Sequence, residues 1–265
     1  MRRATLDILR CPRCQGGGLV PEDPVAEPRL IFGPVRCVQC GARFPVGEGM
    51  IDFVGDRDRP QGLQGALETP WVARSYERYV RPAIEVFLTR GQFDRDSEYL
   101  IYRSLLGRPK GALVDLGCGP GLFARRLVRD LEAQVIGVDV SKPMIEEAIA
   151  QAREAAVAID FVRAEAPSLP FQSASVSAVL QAGSVHFIKD LKSLLAEIAR
   201  VLIPGGRYVA SHTLVPPLLG PFHAAAGVHP RSERLLRDAT EAAGLIRFER
   251  VKVSQVVMFK VERAA

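Results

Sequence analysis

Two cysteine pairs and one glycine-rich turn carry the chemistry that can be read from this chain. Cys11 and Cys14 stand in Cys-Pro-Arg-Cys, and Cys37 and Cys40 in Cys-Val-Gln-Cys, with residues 15–36 between the pairs. Two Cys-x-x-Cys turns bring four thiolates to one point, which is what tetrahedral zinc requires. A redox dithiol needs only one such pair, in a thioredoxin-like βαβ setting that is absent here. Structural disulfides suit secreted proteins, and nothing in the sequence directs secretion. With four cysteines no coordination position is left for water, so the expected metal is structural. Gly16 and Gly41 follow the pairs, where the chain must turn so that backbone N–H groups face the sulfurs. Residues 1–55 hold few large apolar side chains, and a structural zinc can supply about 10–16 kcal/mol of folding free energy.

The second constellation is Leu-Val-Asp-Leu-Gly-Cys-Gly-Pro-Gly-Leu-Phe at 113–123. An apolar run ends in Asp115, and glycines follow at 117, 119 and 121, so that a ligand can lie close to the backbone. A dinucleotide fingerprint needs its third glycine one place further on, where Leu122 stands, and a P-loop needs a terminal Gly-Lys-Ser/Thr that is missing. What remains, Asp-x-Gly-x-Gly-x-Gly, resembles motif I of class I S-adenosylmethionine-dependent methyltransferases (of the methyltransferase domain 11 type). The resemblance implies that Asp115 neutralises the cofactor's ammonium and that Gly117, Cys118, Gly119 and Gly121 form its bed.

Further motifs follow in the family's order through residues 111–211. Residues 134–148 give a strand ending in Asp139, where an acid can accept hydrogen bonds from both ribose hydroxyls. The resemblance then places Val140, Ser141 and Met144 around the adenine. Residues 160–171 resemble the third-strand segment, with Glu165 where the family most often has Asp; it and Ala166 become candidate adenine contacts. Residues 175–190 resemble the fourth strand and its His-containing turn, with Ser177 replacing the usual acid, Gln181 a cofactor contact, and His186 after the strand. A Pro-Gly-Gly turn and a fifth strand complete the set.

These motifs need elements to hold them. The expected architecture is α/β: a Rossmann-like class I methyltransferase domain with a seven-stranded, mostly parallel sheet and an antiparallel closing strand, preceded by a small zinc ribbon. The divisions are 1–55 for the ribbon, 56–110 for a linker and helical cap, and 111–265 for the methyltransferase domain. Residues 41–54, Gly-Ala-Arg-Phe-Pro-Val-Gly-Glu-Gly-Met-Ile-Asp-Phe-Val, resemble the end of a Trm112-like zinc ribbon. Between 66 and 106 the pattern turns helical. Val72, Tyr76, Tyr79, Val80, Ala83 and Phe87 fall at spacings of three and four, read as packing against the next domain. Pro82 should kink or restart that helix. In small-molecule methyltransferases such helices cover the cofactor, which makes Tyr76 and Arg81 candidate contacts. Residues 229–245 predict a helix with Leu235, Leu236, Ala239 and Ala243 on one face, followed by a closing antiparallel pair.

The chain has 265 residues, 48% hydrophobic and 25% charged, with a net charge of +5. The basic excess is +1 in residues 1–55, +2 in 56–110 and +2 in 111–265, with only Arg125, Arg126 and Arg129 clustered. A nucleic-acid face normally concentrates its charge. No run approaches the ~18 apolar residues of a membrane helix, so no membrane partner and a cytoplasmic location are expected. Methyl transfer is an in-line displacement whose leaving group needs no acid, and the protein's task is to hold the reactants at about 3–3.5 Å. A base is needed only for a protonated nucleophile. His186 is the candidate, with His212 at the same sheet edge. Residues 213–230, apolar and proline-rich with Phe222 and His223, read as a loop over the pocket. The expected substrate is therefore a small apolar or aromatic metabolite. The rival readings are an RNA base methyltransferase guided by the ribbon, and a non-catalytic binder, which the intact Asp115, Asp139 and glycines disfavour.

Overall fold

The computed structural model describes residues 1–22, 33–47, 49–56, 65–66, 68–214 and 227–265. Most of the expected linker and of the loop over the pocket, including Phe222 and His223, lies outside these residues.

The chain opens with α1 (Arg3–Asp7) and the short strands β1 (Leu19–Pro21), β2 (Val35–Cys37) and β3 (Arg43–Phe44), which form an antiparallel three-stranded sheet. β4 (Val46–Gly47) and β5 (Met50–Asp52) then leave that sheet and join a larger one. The cap is built from α2 (Pro70–Ser75), a π-helical turn (Tyr76–Val80), α3 (Arg81–Thr89) and α4 (Arg95–Leu106). The alternating part runs β6 (Ala112–Leu116), α5 (Leu122–Asp130), β7 (Gln134–Asp139), α6 (Lys142–Glu154), β8 (Asp160–Arg163), β9 (Val176–Gln181), α7 (Leu191–Val201) and β10 (Leu202–Thr213). α8 (Glu233–Ala242), β11 (Leu245–Val253) and β12 (Val256–Arg263) close the chain.

The large sheet has the order β11-β12-β10-β9-β6-β7-β8-β5-β4. Strands β6 to β10 are parallel, and β12 runs antiparallel to both β10 and β11. β6 and β9 are buried at every position, as expected for central strands covered by helices on both faces. The helices start where side chains meet their free N–H groups: Asp94, Ser141, Asp190 and Ser232 each accept a backbone N–H three residues on.

Seven of the nine strands are those expected; β4 and β5 are two more. β5 pairs in parallel with β8, Met50 opposite Phe161 and Asp52 opposite Arg163. Without it β8 would be an edge strand with open backbone groups. The N-terminal segment is thus part of the sheet and of the main core: Leu6, Leu9, Cys11, Val35 and Ile51 pack in one cluster with Val162, Leu169 and Phe171. Arg2 and Thr5 bind Asp160, and Arg10 pairs with Glu197.

Two packing expectations are corrected. Tyr79, Ala83 and Phe87 of the cap, and Leu235 of α8, are exposed, while Leu236 carries the α8 contact. Pro82 does restart the helix. Its missing N–H and its ring disfavour a regular turn, and the wider one before it lets Arg81 N donate to Tyr76 O, five residues back.

Candidate functional site

The carboxyl ends of β6 and β7 meet at the glycine turn. Gly117 N and Cys118 N both donate to Val138 O, at 2.7 and 3.1 Å, tying the turn to β7. A Cβ on Gly117 would run into Ser184 Oγ, whereas Gly119 (φ +53°) faces open space. Gly121 (φ +83°) starts α5, and a Cβ there would press on Ala148 at 3.2 Å. Its contribution is close packing: it is the one predicted cofactor contact that does not line the cleft. The other thirteen do: Asp115, Gly117, Cys118, Gly119, Asp139, Val140, Ser141, Met144, Glu165, Ala166, Gln181, Tyr76 and Arg81 surround one cleft of about 400 Å³.

The polar groups of this cleft are ready for a charged ligand. Asp115 is 2% exposed and its Oδ2 meets no donor among the described residues. Burial pushes its carboxyl up to about 7, opposed by the Ala124 N–H and the Arg81 charge. Asp139 accepts from Gly119 N through one oxygen and Ser141 N through the other, both at 2.9 Å. Burial raises its carboxyl as well. Gln181 is buried; its Oε1 accepts from Tyr208 OH at 2.7 Å and its Nε2 has no partner among the described residues. An unmet acceptor and an unmet donor on one cleft wall match the ammonium and carboxylate of an amino-acid group, and Asp139 sits one strand over, at ribose position. The donor set fits S-adenosylmethionine.

The cap closes the cleft. Arg81 bridges Glu85 and Glu98, each at 2.7 Å, and lies 4.7 Å over the Phe123 ring. Arg125, buried, donates to Pro120 O in the glycine turn and to Glu77 of the cap, both at 2.6 Å. Glu68 and Glu77 also line the cleft; sequence reasoning missed both, and no motif marks Glu68. Of the clustered arginines, Arg125 is spent in this clamp, Arg126 pairs with Asp96, and Arg129, exposed, donates to Ala155 O.

His186 lies off the cleft wall. Its short 3₁₀ turn (Val185–Phe187) presents Ser184, Phe187 and Ile188 to the cleft. The imidazole instead packs 4.3 Å from the Phe187 ring and 6.3 Å from that of His212. His212 is buried, accepts from Arg231 N at 3.2 Å, and is held neutral: burial, His186 and Arg231 lower its pKa to about 3. Among the described residues no histidine lines the cleft.

Outside the residues that line the cleft, Cys11, Cys14, Cys37 and Cys40 have their sulfurs within 4.8 Å of one another. Cys11 and Cys40 are 3.7 Å apart, Cys14 and Cys37 3.6 Å. A tetrahedron with 2.3 Å zinc–sulfur arms has edges of about 3.8 Å, and disulfide sulfurs would sit near 2.05 Å. Gln39 N and Cys40 N point at Cys37 Sγ, and a Cβ on Gly17 would overlap that sulfur. The cradle fits a tetrahedral metal ion.

Comparison with known proteins agrees with this geometry. Residues 114–210 match the methyltransferase domain family. An uncharacterised chloroplastic methyltransferase of Arabidopsis thaliana is 29% identical over 98% of this chain and 80% of its own length. The ubiquinone/menaquinone biosynthesis C-methyltransferase UbiE of Desulfotalea psychrophila is 37% identical over 49% of this chain, about half (52%) of that enzyme's length. Among solved structures, the geranyl diphosphate C-methyltransferase of Streptomyces coelicolor, held with S-adenosylhomocysteine, superposes with a TM-score of 0.58. It is 21% identical and covers 64% of this chain and 76% of that one, a likeness of fold.

Proposed function

We propose that this S-adenosylmethionine-dependent methyltransferase, a class I enzyme by its sheet and motif order, methylates a small, apolar or aromatic metabolite on oxygen, carbon or nitrogen. The observation that carries the reading is the cleft itself: beside the cofactor's polar contacts its lining includes the apolar and aromatic side chains Tyr76, Phe123, Phe187 and Ile188, with Glu68, Glu77, Lys189 and Asp190 as its remaining charged groups. The named relative in quinone biosynthesis supports the same class of substrate.

The cofactor supplies a methyl group on a sulfonium, electrophilic without further activation. Asp115 pairs with its ammonium and Gln181 Nε2 donates to its carboxylate. Asp139 accepts the ribose hydroxyls, while Val140, Ser141 and Met144 enclose the adenine and Glu165 and Ala166 border its amino group. The Arg125–Glu77 clamp holds the cap down, excluding water and fixing the acceptor in line. The ribbon would occupy 1–55, of the Trm112-like kind, with one structural zinc on Cys11, Cys14, Cys37 and Cys40. The linker and cap would follow to 110 and the catalytic domain from 111. An RNA enzyme would have to neutralise several phosphates, and two of the three clustered arginines, Arg125 and Arg126, are already paired with carboxylates.

The test is a transfer assay with labelled S-adenosylmethionine, run in parallel on total RNA and on a small-molecule extract. Label is expected in a low-mass apolar product. Label in RNA, falling steeply with added salt, would reverse the assignment. On the labelled product, His186→Ala should keep turnover within a few fold; a hundredfold fall would identify His186 as the base.

A further inference from the structure

The helix that closes the cleft has a second face. α2, the π turn and α3 form one rod of about 30 Å at 1.5 Å per residue. Ala73, Glu77, Arg81 and Glu85, four apart, face inward: Ala73 is buried, Glu77 pairs with Arg125, and Arg81 joins Glu85 to Glu98. On the other side Trp71 is 76%, Tyr79 62%, Val86 60% and Phe87 79% exposed. The charged side chains exposed along this rod and its end are Arg74, Arg78 and Arg90. Its carboxylates are turned in, and the next acids along the chain are engaged: Asp94 caps α4 and Asp96 holds Arg126.

Large aromatic and aliphatic side chains interleaved with guanidinium groups, and with no exposed carboxylate between residues 70 and 90, are the composition of a helix lying in the plane of a lipid surface. We propose that this face docks on an anionic phospholipid bilayer. Trp71, Val86 and Phe87 would enter the headgroup–acyl boundary, where aromatic rings are favoured, while Arg74, Arg78 and Arg90 pair with lipid phosphates. Tyr76, Glu77 and Arg81 of the same rod line the cleft, so docking sets the cleft beside the apolar phase. This departs from the sequence expectation of no membrane partner. No helix among the described residues is long and apolar enough to cross a membrane, and lying on one requires only a face. The proposal does not depend on which metabolite is methylated.

Trp71 is the only tryptophan in the chain, so its emission reports on this face alone. With the full-length protein, phosphatidylcholine vesicles containing one-third phosphatidylglycerol should shift the emission to the blue and sediment the protein. Brominated acyl chains should quench it, and pure phosphatidylcholine should do little. Val86→Ser/Phe87→Ser keeps the reporter and should weaken partitioning about tenfold or more. Arg74→Glu/Arg78→Glu should weaken it at least about twenty-fivefold, at roughly fivefold per arginine lost. Unchanged emission with no sedimentation overturns the proposal. So does emission that is already blue in buffer: if it depends on protein concentration the face belongs to a second copy, and if it does not, another part of the same chain covers it.

Discussion

At Asp115, burial and an unmet hydrogen bond should combine to make cofactor binding depend on pH. The free carboxyl, raised to about 7, is half protonated at neutrality, and pairing with an ammonium requires the carboxylate. Below pH 7 binding must expel a proton, so affinity should fall as pH drops, approaching tenfold per unit between 7 and 5. The ligand's ammonium stays charged across that window, since even a peptide α-amino group keeps its proton up to about 7.7–8.0. Calorimetry with S-adenosylhomocysteine should show this slope, and Asp115→Asn should bind weakly at every pH without it. A flat profile for the native protein would mean that Asp115 does not face the ammonium. Asp115, Asp139 and the glycines were legible because local spacing alone places them at strand ends. Glu68 and Glu77 were not, since their approach to the cleft is decided by how the cap packs. His186 shows the limit from the other side: sequence order fixed its element at the ligand edge, but the direction of a side chain on a three-residue turn depends on Phe187 and His212 around it.

In the cap, periodicity revealed an amphipathic helix but not which face lies inside. Tyr79 and Phe87 invited the apolar choice, yet the inward stripe is Glu77, Arg81 and Glu85, because buried carboxylates and guanidinia satisfy one another there. The Glu77–Arg125 pair is therefore expected to matter for stability. Its side chains are 20% and 10% exposed, so Glu77→Ala leaves a largely buried guanidinium with only Pro120 O. The expected loss is about 2–4 kcal/mol, and Glu77→Ala/Arg125→Met should recover much of it. Denaturant unfolding of the two variants decides this; a loss below about 0.5 kcal/mol would demote the clamp to an ornamental contact. The strand pattern was easier to read. β6, β7, β9 and the closing hairpin are long apolar or alternating runs, whereas β5 spans three residues whose pairing with β8 leaves no periodic signal.

Across the whole molecule, the N-terminal segment and the catalytic sheet share one core and one clasp. Arg163, at the end of β8, donates to Asp52 and Gly55 on one side and to Val140 O on the other. The strand that carries the four-cysteine segment into the sheet is thus one side chain away from Val140 in the cleft wall. With zinc on the four thiolates, cofactor and metal should be thermodynamically linked. Chelation should release zinc and weaken S-adenosylhomocysteine binding several fold, and saturating S-adenosylhomocysteine should slow zinc loss by a comparable factor. Cofactor affinity indifferent to metal content would show that the clasp transmits nothing. The division at residue 55 rests on the ribbon-like end at 41–54 and the charged linker after it, signals that do not record that β5 crosses over to another sheet. That crossing also has a meaning in time. Asp52 and Arg163 are 111 residues apart, and at about 5–20 residues per second a ribosome needs on the order of ten seconds to make that stretch. Through that interval a newly made β5 has no β8 to pair with, although all four cysteines are already present. Newly synthesised chains can therefore gather the metal first and find their sheet afterwards, and a chain that has not yet filled its thiolates offers both an open strand and open sulfurs to its neighbours.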